Sequence, residues 1–248
     1  MTTARAVTAL CFALSALILA PSAAAATPAD LPGVSDSEQV IVVTSTDFRS
    51  TRARLSAYEK QDDGRWLAVT TDVPAFVGAR GIVPGAKRRQ GTNTTPAGTY
   101  AITSAFGRKP NPGTTLPYVH VDRDDAWTYN PQVPGTYNLF QSAPVSWASY
   151  GRYVEHLWKL GPQYDYVAVL DYNEPPGPVT TDSRGIRRAS TPADTRAGGG
   201  IFLHVSKGEP TAGCISIREG AMRRIMDWLD AGKRPVIVIG KADALAVG

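Results

Sequence analysis

Cysteine is nearly absent from this chain, whose 248 residues hold two, Cys11 and Cys214, alongside three histidines. His120, His156 and His204 stand far apart, and neither HExxH nor CxxC spacing occurs. A zinc-type site needs three or four converging ligands, so no metal is expected; a metallopeptidase built from the three histidines is the one metal reading left. GxSxG is missing as well, which removes the usual elbow of a serine hydrolase. Lysines and arginines are scattered, apart from Lys87-Arg88-Arg89 and Arg187-Arg188. That excludes a basic stripe for nucleic acid, and both groups read as solvated faces.

Long hydrophobic runs are lacking too. The longest, Val7 to Ala20, follows Arg5, breaks at Pro21 and leads into alanines that fit an A-x-A cleavage site. It is shorter than the roughly 18 apolar residues of a membrane span and reads as an export signal over residues 1–26. No stable membrane insertion is expected once it is cleaved. Cys11, after Thr8, Ala9 and Leu10, is a poor lipid acceptor and is expected to leave with the signal. Loss of Arg5 takes the formal charge from +4 to +3. Residues 27–39 read as a linker and 40–248 as one domain.

The exported chain would then carry Cys214 alone and form no internal disulfide. An odd thiol in an oxidising compartment is a reactive group or a buried small hydrophobe.

What is present is β-rich. VIVVTST from Val40, RARLSAYE from Arg52, RWLAVTT from Arg65, GTYAITSAF from Gly98, PYVHV from Pro117, DYVAVLDY from Asp165, GIFLHV from Gly200 and PVIVIG from Pro235 are bounded by turn residues. QDDG after Lys60 reads as a hairpin turn. Met222, Ile225, Met226 and Leu229 fall at helical spacing, and Gly232 supplies a stop. Ser216 with Glu219 fits a capping box, and a weaker helix is expected from Trp147 to Leu160. Many strands and few helices predict a mainly β fold, a β-sandwich or closed barrel, with one C-terminal helix after Cys214. Asn173 to Gly200 has no apolar periodicity; it reads as a flap with a glycine hinge or as a disordered insertion.

His204 closes an apolar run, and Cys214 follows ten residues later, after Gly208, Pro210 and Gly213. Across so short a loop an imidazole can take the thiol proton and raise the thiolate fraction. The following helix would favour an anionic sulfur near its N-terminus. Gly213 and Cys214 would turn backbone N–H groups toward an oxyanion, or Gly213 only makes the turn. His120 fits the outer face of a strand, and His156 a structural role.

At this point IFLHV, PTAGCISI and, upstream, TPAGTYAI at Thr95 to Ile102 resemble the L,D-transpeptidase catalytic domain family. The likeness runs from about Val40 to Gly240, closest to an exported branch with short His to Gly-Cys spacing. The resemblance implies a mainly β catalytic domain without cofactor, with Cys214 as nucleophile and His204 as its base. It implies peptidoglycan stem peptides as substrate. The thiolate takes the acyl group of a diamino acid, a terminal D-residue leaves, and a second stem's amine resolves the thioester into a cross-link. Water in its place gives L,D-carboxypeptidase or amide hydrolase activity. A carbapenem adduct at Cys214 is a further expectation, and so is a secreted, wall-associated or periplasmic location. The chain departs from the family pattern at Ala212, where a second histidine is usual, and at Ser216, where arginine is common. A non-catalytic wall-binding module is the rival class. Tyr129, Asn130, Tyr172, Asn173, Thr211 and Ser216 are candidate substrate contacts, with core packing or turn formation as the alternative. Trp127, Trp147 and Trp158 are assigned to the core.

Overall fold

A computed structural model describes residues 27–245. The expected signal segment and Cys11 lie outside the described residues.

Eight strands carry the architecture: β1 (Gln39–Ser45), β2 (Arg52–Lys60), β3 (Trp66–Phe76), β4 (Thr95–Gly107), β5 (Val167–Leu170), β6 (Phe202–Val205), β7 (Ile215–Ile217) and β8 (Val236–Lys241). Their neighbours run β5-β6-β7-β3-β2-β1-β8-β4, and pairing of β4 with β5 closes the ring. The fold is the mainly β closed barrel, not a sandwich. Two neighbouring pairs are parallel, β1 with β8 and β6 with β7. The QDDG turn closes the β2–β3 hairpin, with Gly64 N–H donating to Gln61 O at 2.8 Å.

Side-chain alternation explains the ring. Ile41, Leu55, Leu203, Ile215, Ile217 and Ile239 point inward to the main core, where each is at most 2 % exposed. A helix, α1 (Glu219–Trp228), adds Met222, Ile225 and Met226 to that core, and Leu229 at its C-cap joins them. Each such side chain contributes about 1.5–3 kcal/mol of burial. β1 is buried on both faces because Val40 and Val42 meet Leu31 and Val34 from the segment before it.

The opposite face of β5 and β6 carries a second core. Val167, Val169 and Phe202 pack there beneath a small antiparallel sheet of Ala126–Thr128, Leu139–Gln141 and Val154–His156. Phe202 meets Trp127 edge-on at 4.9 Å and Phe106 at 5.4 Å. Trp127 and Trp147 are buried, and Trp158 packs partly buried against this cluster.

Two local expectations are corrected. No α-helix spans Trp147 to Leu160: short 3-10 segments, Ala148–Tyr153 and Leu157–Tyr164, flank the strand Val154–His156. Gly151 and Gly161, at φ 55° and 76°, break any continuous helix. The Ser216–Glu219 capping box does not form either, because Ser216 belongs to β7 and Arg218 is the N-cap, without a side-chain cap bond. Asn173 to Gly200 is not an unstructured insertion. It folds back as a hairpin, Val179–Thr181 with Arg187–Ala189, docked by Gln141 through both its amide atoms.

Candidate active site

The nine residues 206–214 join parallel strands β6 and β7, and the turn at their end presents Cys214. The Thr211 hydroxyl donates to the Cys214 carbonyl at 2.6 Å and accepts the Gly213 N–H at 3.1 Å. Thr95, first residue of the TPAG stretch, donates to the same carbonyl at 3.2 Å while accepting the Gly78 N–H at 2.8 Å. Gly213 sits at φ 147°, where a Cβ would stand 3.0 Å from both Arg88 Nη2 and Thr94 O. Only glycine fits that backbone without displacing its neighbours.

Register places the histidine. Leu203 pairs with Ile215 and His204 with Ser216, so Phe202, His204, Cys214 and Ser216 share one face of the β6–β7 pair. His204 is 6 % exposed, and its Nδ1 lies 2.9 Å from Val205 O. A carbonyl only accepts, so Nδ1 carries the proton there and Nε2 is left with its lone pair. The Tyr164 ring stands edge-on to the imidazole at 5.6 Å. The thiol itself donates to Gly200 O at 3.3 Å, and no hydrogen bond joins it to the imidazole among the described residues.

Electrostatics of the free site run against a resting ion pair. Burial pushes His204 down to about 4, with Lys207 adding to it, although the Val205 and Gln163 backbone groups favour the charged ring. Burial pushes the Cys214 thiol up to about 12, and the Glu155 carboxylate adds to this; the Phe202 backbone and Arg88 act in the opposite direction. Thiol and imidazole both rest neutral at pH 7. The helix is no help to the sulfur. β7 separates them at about 3.3 Å per residue, beyond the first-turn range of the dipole.

Cys214 is partly exposed and opens into a cleft of about 500 Å³. Arg88, Gln90, Tyr129, Arg152, Tyr153 and Glu155 line it with the Gly198–Gly200 run, the end of the expected flap. Tyr129 is therefore at the site. Asn130 and Tyr172 are buried elsewhere, Asn173 ties Asp194 and Gly198 through their carbonyls, Thr211 shapes the turn, and Ser216 is buried with its hydroxyl unpartnered. His120 is exposed on its strand and His156 lies on the small sheet, away from the cleft. Among the described residues no three His, Cys, Asp or Glu side chains converge as metal ligands.

Sequence reasoning missed three residues. Arg88, grouped there with a solvated face, is 5 % exposed. Glu155 lines the cleft and accepts the Tyr164 hydroxyl at 2.6 Å; burial raises its carboxyl. Asn138 joins the cleft wall to the second core: its Oδ1 accepts from Trp127 Nε1 at 3.0 Å and Gly200 N–H at 2.8 Å, and its Nδ2 donates to Tyr172 O and Asn173 O. No local motif marks any of the three; the contacts that give Arg88 and Asn138 their place, to Ala197 and Gly200, come from far along the chain.

A closed barrel thus presents, on a tight turn lining a charged cleft, the one free thiol among the described residues. The chain belongs to the L,D-transpeptidase catalytic domain family, whose model matches residues 38–238. That family acts on peptidoglycan stem peptides in general. Neither curated proteins nor solved structures give a match.

Proposed function

We propose that the chain is an exported L,D-transpeptidase of the cell wall, working through a thioester on Cys214. The observation that carries this reading is the free thiol lining the cleft, on the same strand face as a neutral imidazole whose Nδ1 is already bound.

The steps follow from protonation states. As a donor stem enters, water leaves the cleft and the thiol proton passes to His204 Nε2. The sulfur attacks the diamino-acid carbonyl, and the resulting oxyanion is met by backbone N–H groups of the Gly213–Cys214 turn. The Gly213 N–H already serves Thr211, so the Cys214 N–H carries this task in our reading. Collapse returns the proton from His204 to the leaving amine and releases the terminal D-residue. An acceptor amine then attacks the thioester, giving up its proton to His204, and the cross-link departs as the thiol re-forms. Water in place of the amine yields the carboxypeptidase outcome. Residues 1–26 act as the export signal, residues 40–248 as the catalytic domain, and the mature protein works outside the membrane.

A second reading, an inert wall-binding module, is favoured by the thiol's raised pKa and by Ala212 in the motif. Intact-mass analysis separates the two. Incubation with a tetrapeptide donor or a carbapenem is expected to give a Cys214-dependent adduct, and folded protein that stays unmodified with both overturns the enzyme reading. Product analysis with and without acceptor amine then divides transfer from hydrolysis.

A further inference from the structure

Arg88 is a guanidinium withdrawn from water without a carboxylate. It is 5 % exposed, and no salt bridge among the described residues includes it. Nε donates to Thr94 O at 3.0 Å and Nη1 to Ala197 O at 2.8 Å, while the Tyr172 ring lies 5.5 Å from Cζ. Those contacts engage Nε and Nη1, on two sides of the guanidinium, and no hydrogen bond among the described residues uses Nη2. Nη2 borders Gly213, the residue before the nucleophile, and Arg88 lines the cleft.

Burying a cation is expensive unless an anion meets it, and two neutral carbonyls do not neutralise a full charge. The protein nevertheless fixes this guanidinium from both sides, bonding it to Thr94 and to Ala197, 109 positions apart from Arg88. An arginine held rigidly with one donor turned to a cleft is pre-organised for an anionic group of a ligand. The carbonyls that hold it are neutral, and no carboxylate among the described residues pairs with it. Position decides which anion. A stem attacked at Cys214 carries its scissile carbonyl at the sulfur, and the leaving residue, one position further on, ends in a carboxylate.

We infer that Arg88 forms a carboxylate-binding subsite of the cleft, in which Nη2 receives the terminal carboxylate of the donor's leaving residue. The arginine common after the family's cysteine is Ser216 here, so this charge reaches the cleft from a different part of the chain. The inference rests on the stem-peptide reading above. It adds a selection rule: donors with a free terminal carboxylate are preferred over the same peptides ending in a carboxamide. An oxyanion role for Nη2 fits less well. That charge exists only briefly, whereas the guanidinium is desolvated at all times.

The test is a binding measurement that needs no turnover. Folded Cys214→Ala protein is titrated calorimetrically with a tetrapeptide donor ending in a D-residue, once as the free acid and once as the C-terminal amide. The acid is expected to bind roughly tenfold tighter, as a charge-assisted hydrogen bond allows. Adding Arg88→Gln should bring the two affinities within roughly threefold, and Arg88→Lys should restore part of the difference. Equal affinities in the Cys214→Ala protein overturn the subsite without any change at Arg88. A preference that survives Arg88→Gln assigns it elsewhere, for example to exposed Arg152, and also overturns it. A purely structural strut would lower the melting temperature of Arg88→Gln and leave the acid-to-amide ratio unmoved. Adduct formation in the wild type is read separately. An acid preference without any adduct sinks the acyl-transfer reading and leaves the subsite standing.

Discussion

The Thr211 hydroxyl holds the Cys214 carbonyl at 2.6 Å, three positions along the same turn. The same oxygen accepts the Gly213 N–H, so a single hydroxyl fixes the backbone on both sides of the nucleophile's peptide unit. Thr211→Val keeps the shape and removes both bonds. We expect a stability loss of about 1–3 kcal/mol in urea unfolding, with a larger relative loss in adduct formation than in binding. Unchanged adduct rates would show that the turn holds its form without the hydroxyl.

A neutral thiol and a neutral imidazole make a specific pH prediction. His204, at about 4, stays competent as a base through the mildly acidic range, and the thiol at about 12 does not ionise by itself near neutrality. Acylation by a donor should therefore be flat from about pH 5 to pH 9 and fall only as the imidazole protonates. Alkylation by iodoacetamide, which needs free thiolate, should at pH 8 be slower than for an ordinary cysteine, whose pKa is about 8.5. A single acylation limb near pH 8.5, unaltered in His204→Ala, would contradict the proposed pairing.

Glu155 gives a complementary handle. Its charge is among the causes that hold the thiol up, after burial, and Tyr164 anchors it. Glu155→Gln keeps the hydrogen bond's shape and deletes the charge. The thiol's apparent pKa should fall and alkylation at pH 8 should accelerate severalfold, read by stopped samples and mass spectrometry. No change would mean that Glu155 is already protonated in the resting site.

Acid stability should carry the mark of His204. Its folded pKa lies below the unfolded value of about 6.5, so the unfolded chain binds the proton first. Stability is full above about pH 6.5 and is lost as pH falls toward 4, by an amount on the order of 3 kcal/mol. His204→Gln should flatten that stretch of the urea-midpoint curve. An identical slope in the variant would reject the assignment.

Asn138 is expected to be sensitive beyond its size. It is 3 % exposed, adopts φ 58°, and bonds the Gly200 amide beside the thiol. Asn138→Ala strips partners from Trp127, Gly200, Tyr172 and Asn173 at once, and should cost about 2–4 kcal/mol in denaturant unfolding. Asn138→Asp keeps the acceptor and loses the donor, so it should retain the Gly200 contact while loosening Asn173. Faster hydrogen exchange at Gly200 in the alanine variant alone would mark this division.

The strands and α1 were legible because their signal is periodic and local: Val40 to Thr44 and Met222 to Leu229 declare a buried face within a few residues. The unpaired thiol and the histidine before it were legible by scarcity. Arg88 was not, because a guanidinium inside a basic triplet reads as surface until Ala197 closes over it. Trp147 to Leu160 misled for a related reason. Its apolar spacing suits a helix, and only the backbone angles of Gly151 and Gly161 show that the chain turns instead.

The short crossover before Cys214 limits what the gene can tolerate. Parallel neighbours generally need a dozen or more residues to connect, and here residues 206–214 suffice. Inserting or deleting one residue in this loop would slip β7 by one position and rotate the sulfur to the opposite side of the sheet. Length changes should thus be purged from 206–214 in a scanning library, while the outlying turn at 182–185 absorbs them.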